Sequence, residues 1–317
     1  MTGRVELHCH LDGSVRPDTI ADLARAQDIA ISQPIQAIAP PRCPDLMTYL
    51  TYLDVALSVL QTRDALVRAA HELVEDWAAD GVVHGEARFA PQLHTRNGLT
   101  MAAVLDAVAQ GLAAGRETTG ISTALIVCCL RQQDPSVSLK VADLAASRTD
   151  VVAALDIAGD ESRPATPHAP AFTLAREAGL RITAHAGEAN GPDSIREVLD
   201  ELGAERVGHG VRAAGDDALV ERLVRDGVPL EMCPVSNVQT AAVSAPDQHP
   251  AKKLLDAGVR VTISTDARTV SNTTLTREFS VLESTLAWTP ADTTLAQSHA
   301  ATAAFAPKIV RSGDQTG

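Results

Sequence analysis

The sequence predicts an α/β protein folded as a (β/α)8 TIM barrel. Eight short apolar runs, often β-branched and bounded by turn residues, have the character of parallel strands buried on both faces. Helical patterns alternate with them, which points to a parallel sheet. Eight such repeats point to a closed barrel. A doubly wound open sheet is the alternative, but no Gly-x-Gly-x-x-Gly follows the first strand.

The first strand is Val5–Leu11. Residues 12–80 then form a long insertion, broken by Pro34, Pro40, Pro41 and Pro44 and carrying an apolar helical stretch from Leu46 to Leu60. A loop of that length on the C-terminal face of a barrel is expected to be a lid or pocket wall. Asp64–Ala79 has Leu66, Val67, Ala70, Leu73, Val74 and Trp77 at helical spacing. Strands Val83–Ala90, Thr123–Leu130 and Val151–Ala158 follow, with a helix at Leu99–Ala114 and a Pro-marked loop at Pro164, Pro167 and Pro170. The last four strands are Arg181–Ala186, Arg206–Val211, Pro229–Val235 and Val259–Thr265. Helices are expected at Pro170–Ala178, Ser194–Leu202, Asp216–Asp226 and Ala251–Ala257. Gly179, Gly203, Gly227 and Gly258 follow them, where a left-handed residue ends a helix. The tail after Pro307 is expected to fray, and residues 1–317 read as one domain.

Composition narrows the function. A 45% hydrophobic chain of 317 residues can bury a large core. A net charge of −13 repels phosphate backbones, so nucleic acid is not an expected partner. No stretch approaches 18 consecutive apolar residues, so no membrane association is expected. Five cysteines without a CxxC pattern read as reduced core residues of a cytoplasmic protein, and no leader peptide is evident.

The chemistry sits at strand ends. His8 and His10 flank Cys9, so a strand's period of two places both imidazoles on one face. His185 ends the fifth strand, and Gly187 lets the chain turn so that Glu188 can bend back over the site. His209 lies between Gly208 and Gly210, which leave room for close approach. Asp266 ends the eighth strand, where an Asp can also cap a helix. Three histidines and a carboxylate suit Zn²⁺. A catalytic zinc activates water for attack on an electron-poor ring carbon. A protonated Glu can serve the leaving amine, and a spare His can orient the nucleophile.

Together these stretches resemble the adenosine deaminase family of amidohydrolases, in its bacterial form. The resemblance runs through Glu6–Ser14, Val59–Thr62, Arg88–Pro91, Asp156–Glu161, Thr183–Glu188, Gly208–Gly210, Cys233–Asn237 and Ser264–Asp266. It implies zinc, one per chain, on His8, His10, His185 and Asp266, with Glu188 as the acid that protonates the purine at N1. It further implies that His209 holds the attacking hydroxide, that Asp266 accepts a proton, and that the Gly159 N–H meets N3. Asp12 would hold the ribose 5′-hydroxyl, which favours a nucleoside over free adenine. His10 borders the substrate in this reading. Where the family carries a second Asp or an Asn after the metal Asp, addressing N7, this chain has Ala267. The expected reaction is deamination of adenosine, or of a modified or 5′-substituted adenosine, within purine metabolism. A non-catalytic nucleoside-binding relative is the remaining alternative, and intact Glu188 and His209 argue against it.

Overall fold

Eight parallel strands pair in chain order in the computed structural model, which describes residues 3–31 and 34–305. They are β1 Arg4–His10, β2 Val82–Phe89, β3 Ser122–Leu130, β4 Val152–Ala158, β5 Arg181–Ala186, β6 Arg206–His209, β7 Leu230–Met232 and β8 Val261–Ile263. The seam between β8 and β1 is joined just beyond β8. There the His10 N–H donates to the Asp266 carbonyl at 2.6 Å and the Asp266 N–H donates to the His8 carbonyl at 2.9 Å. All eight expected strands form, in the expected order, and the barrel is the architecture of the chain.

Among the described residues, thirteen α-helices lie between and after the strands. After β1 come α1 Pro17–Ala26, α2 Leu46–Leu50, α3 Asp54–Val59 and α4 Arg63–Ala79. The others are α5 Met101–Thr119, α6 Pro135–Ala146, α7 Ala169–Glu177, α8 Pro192–Glu197, α9 Asp217–Asp226, α10 Pro234–Gln239, α11 Ala251–Asp256, α12 Leu275–Thr285 and α13 Pro290–Ala303. The α4 stripe of Leu66, Leu73 and Trp77 is wholly buried, worth roughly 1.5–3 kcal/mol for each large side chain. α5 lies against α4 through Gly111 and Gly115. A Cβ at Gly111 would stand 2.3 Å from the Val67 carbonyl oxygen, and one at Gly115 2.5 Å from Val74 Cβ. Gly111→Val would force the two helices apart.

The structure departs from the sequence reading in specific places. α4 is the ordinary crossover helix between β1 and β2, so the pocket-forming part of the 12–80 segment is narrower than expected. α5 runs on to Thr119, past the end of its apolar pattern, and stops at Gly120 in the left-handed region (φ 73°). α6, α12 and α13 were not anticipated. α6 buries Ser138, Val141, Ala142 and Ala145, a face too rich in small residues to show a periodic signal. α13 buries only Ala296 and Ala300, although Thr289 and Asp292 form a capping box at its start. The four glycines at 179, 203, 227 and 258 all have positive φ, as expected of helix stops. All five cysteines are buried and unpaired. The tail after Pro307 lies outside the described residues.

Candidate metal centre and active site

Strand geometry brings four donor groups together. His8 and His10 share the interior face of β1, while Cys9 between them joins the hydrophobic core. Asp266 adopts a left-handed conformation (φ 61°) three residues beyond the end of β8. Asp is among the few non-glycine residues that tolerate this region. The turn places Asp266 Oδ1 3.4 Å from His8 Nε2 and 3.5 Å from His10 Nε2. His185, near the end of β5, brings its Nε2 within 3.1 Å of His10 Nε2. One donor atom from each of these four residues lies within 4.8 Å of the others. No helix starts at Asp266, so its capping role is not realised.

The cluster fits a cation by its proton inventory. His8 Nδ1 lies 2.8 Å from Glu231 Oε2, and His185 Nδ1 lies 3.1 Å from Asp156 Oδ1. An ionised carboxylate only accepts, so both rings carry a proton on Nδ1 and turn Nε2 toward the cluster. His8 Nε2 is buried with no hydrogen-bond partner. Burial pushes the His10 imidazole down to about 3, which keeps it neutral. Bare imidazole nitrogens facing a carboxylate oxygen form the donor set of a divalent cation such as zinc.

Beside the donors stand an acid and a fourth histidine. Gly187 (φ 68°) turns the chain after β5. The Glu161 carboxylate accepts from the N–H groups of Gly187, Glu188, Ala189 and Asn190, which pins the loop carrying Glu188. Burial, then the charges of Asp266 and Glu161, push the Glu188 carboxyl well above its usual range, and its Oε1 has no partner. Burial opposes ionisation at Asp266, but the imidazoles of His8, His209 and His10 outweigh it and hold that carboxyl well below its usual range. Two nearby acids are thus driven apart, one neutral and one ionised.

His209 ends β6 at φ 61°, a backbone strain of the kind found at functional sites. Its tautomer follows from its partners. The Cys233 N–H donates to Asn237 Oδ1, so the Asn237 amide nitrogen donates to His209 Nδ1 at 3.0 Å. The His209 proton is therefore on Nε2, 3.5 Å from Glu188 Oε2. Burial drives the ring pKa well below 6.5. A Cβ at Gly208 would stand 3.0 Å from His8 Cε1, so the glycine before His209 admits the ligand ring.

Two joined cavities receive the site. The inner one, about 40 Å³, is bordered by His10, Tyr49, Glu188, His209, Asp266 and Ala267. The outer one, about 310 Å³, is bordered by Asp12, Met47, Leu57, Arg96, Leu130 and Gln133. Leu50, Leu53 and Gly159 face both. The α2–α3 segment thus forms a wall of the pocket. Asp12 is buried, with Oδ2 3.8 Å from His94 Nε2. Ala267 is buried in a small apolar cluster with Leu46 and Tyr49.

Sequence reasoning missed the residues beneath the site. Asp156, Glu231 and Arg88 support the histidines, and His249 donates to Asn237 Oδ1 at 3.1 Å. A signal existed: charged residues inside otherwise apolar runs such as Val-Ala-Ala-Leu-Asp156 and Leu-Glu231-Met, where burial needs a partner.

Residues 3–313 match the family model for adenosine deaminase. The chain belongs to the adenosine deaminase family. The adenosine deaminase of Clostridium acetobutylicum is 40% identical over 283 residues, covering 87% of this chain and 85% of that one. The solved structure of an adenine deaminase from Arthrobacter aurescens superposes with a TM-score of 0.90 at 30% identity, over 96% of this chain and 94% of its own. An amidohydrolase from Burkholderia ambifaria, solved with bound Zn, gives 0.88 at 28% identity, over 96% and 86%. The chain is a hydrolase acting on C–N bonds in cyclic amidines, and its chemistry is purine deamination. Among the described residues, no helix is long and apolar enough to cross a membrane.

Proposed function

We propose that this protein is a zinc-dependent deaminase of adenosine or a closely related 6-aminopurine nucleoside. Water enters, ammonia leaves and an inosine-type product remains. His8, His10, His185 and Asp266 would hold one zinc per chain. The observation that carries the reading is Glu188: a buried acid kept protonated, with one oxygen unpartnered, bordering the same cavity as His10 and Asp266.

When bound, zinc supplies a Lewis acid that makes water nucleophilic near neutral pH. Glu188 donates its proton to N1 of the purine, leaving the adjacent carbon open to attack. His209, with its proton on Nε2, orients the incoming water. Ionised Asp266 accepts a proton. The Gly159 N–H meets N3, Asp12 takes the 5′-hydroxyl, and Ala267 offers the N7 edge no polar group. The 12–80 insertion, through its α2–α3 segment, would form the lid or pocket wall of a single 1–317 hydrolase domain. Five unpaired cysteines support a cytoplasmic place in purine metabolism.

A second reading keeps the site and changes the substrate to a modified or 5′-substituted adenosine. The roomy outer cavity beside Asp12 favours it. An ammonia-release panel of adenosine, 2′-deoxyadenosine, 5′-substituted adenosines and adenine, run with zinc analysis, tests both. Adenosine turnover with about one zinc per chain is expected. Zinc-loaded protein that releases no ammonia from any of these nucleosides would overturn the proposal.

A further inference from the structure

Six strands, β1, β2 and β4 to β7, meet beneath the metal cluster in a layer of buried charge. Glu231, on β7, receives the His8 Nδ1–H at 2.8 Å and Arg88 Nη2 at 2.7 Å on its Oε2. Its Oε1 receives Arg206 Nε at 2.6 Å and the Thr183 hydroxyl at 3.0 Å. Asp156, on β4, receives the His185 Nδ1–H at 3.1 Å on Oδ1 and Arg88 Nη1 at 3.0 Å on Oδ2. Arg88 Nη2 also donates to the Leu7 carbonyl on β1 at 2.6 Å. Arg88, Asp156 and Glu231 have no exposed surface, so water cannot substitute for any of these partners.

One guanidinium therefore touches both carboxylates that orient His8 and His185. A planar fork can do this because its donors are fixed relative to one another. A lysine ammonium carries the same charge without the fork. We propose that Arg88 is a positioning residue that couples His8 to His185: by tying Glu231 to Asp156, it holds both rings as Nδ1–H tautomers with Nε2 aimed at the cation. The inference rests on the metal reading above. It differs from a purely structural role, in which Arg88 only neutralises buried carboxylates and Lys would serve as well.

Zinc affinity, measured by competition with a chromophoric chelator, tests it together with thermal unfolding of the metal-free proteins. Glu231→Gln and Asp156→Asn should each weaken zinc binding about 10–100-fold, the range for residues supporting a metal-bound histidine. Arg88→Lys should weaken it at least as much. In the Arg88 protein the double variant should lose less than the product of the single losses, because either change already loosens the shared clamp. In the Arg88→Lys background the two losses should multiply. Unchanged affinity in Arg88→Lys overturns the coupling. Where that variant does not fold, strictly multiplicative losses in the Arg88 protein overturn it. A wild type that binds no zinc would remove the metal reading and this inference together, whereas zinc-binding wild type with unaffected variants removes the inference alone.

Discussion

Below His8 and above it, the barrel treats buried polar groups in opposite ways. In the lower interior, Glu86, Asp156 and Glu231 are all fully buried, and each of their carboxylate oxygens has a partner. Around the upper cavity, Glu188 Oε1 on its wall, His8 Nε2 in the donor cluster and His94 Nε2 behind Asp12 are buried and have none. Stranding a buried polar atom costs about 1–3 kcal/mol, and at Glu188 and His8 a bound ligand would relieve it.

Removing the upper donors should have the largest effect. The His8→Ala, His10→Ala double variant should lose both metal and activity, while circular dichroism still reports a folded barrel. Retained zinc in that protein would refute the assignment of the upper cluster.

Glu188→Gln comes next. It keeps the shape and removes the transferable proton, so turnover should fall roughly 10²–10⁴-fold with zinc retained. In the wild type, activity should persist through neutral pH and decline as pH rises through the raised Glu188 pKa, because only the protonated form donates. A near-normal rate in Glu188→Gln would show that the proton comes from elsewhere.

Asp12 tests the outer cavity. A hydrogen bond to a charged group contributes about 1.5–3 kcal/mol, so Asp12→Ala should cost adenosine roughly 10–100-fold in kcat/KM and leave adenine nearly flat. A wild type that prefers adenine would remove the nucleoside reading.

Glu278 sharpens the contrast with Glu188. Burial lifts its carboxyl to about 8, but the Val235 N–H and the Thr273 hydroxyl satisfy its two oxygens. Its folded pKa lies above the unfolded value of 4.5, so its contribution to stability is whole below that pH and is lost as pH rises through about 8. The Tm of metal-free protein should drop between pH 5 and 9 (about those limits), and Glu278→Gln should flatten the drop without a comparable loss of turnover. An unchanged slope would show that Glu278 is not a source of the pH dependence.

The smallest effect concerns Ala267, an apolar group in the polar cavity. Wild type should discriminate little between adenosine and 7-deaza-adenosine, since alanine strands nothing. Ala267→Asn should raise kcat/KM for adenosine only, about tenfold for each 1.4 kcal/mol recovered. Strong wild-type preference for adenosine would mean that another group already serves that edge.

Much of this could be read from residue order. The strands that carry His8, His185 and His209 are local apolar runs, and their alternation fixes which side chains face inward. The glycine helix stops are equally local. α13 was not legible because alanines carry its buried face, and helix periodicity is read from large apolar residues. The supporting layer was not legible because a charge in a strand announces that it needs a partner without naming one. Glu231 meets His8 across 223 positions and Arg88 across 143.

The sequence by itself determined the eight-stranded barrel and the placing of His8, His10, His185, Glu188 and Asp266 at or just beyond its strand ends, since these depend on local periodicity and residue chemistry. Only the tertiary structure decided the tautomers, the ionisation split between Glu188 and Asp266, the narrow extent of the pocket wall and the Arg88 clamp. Each of these depends on which distant groups share a volume without water, and hydrogen-bond partners and desolvation exist only once the strands have closed around it.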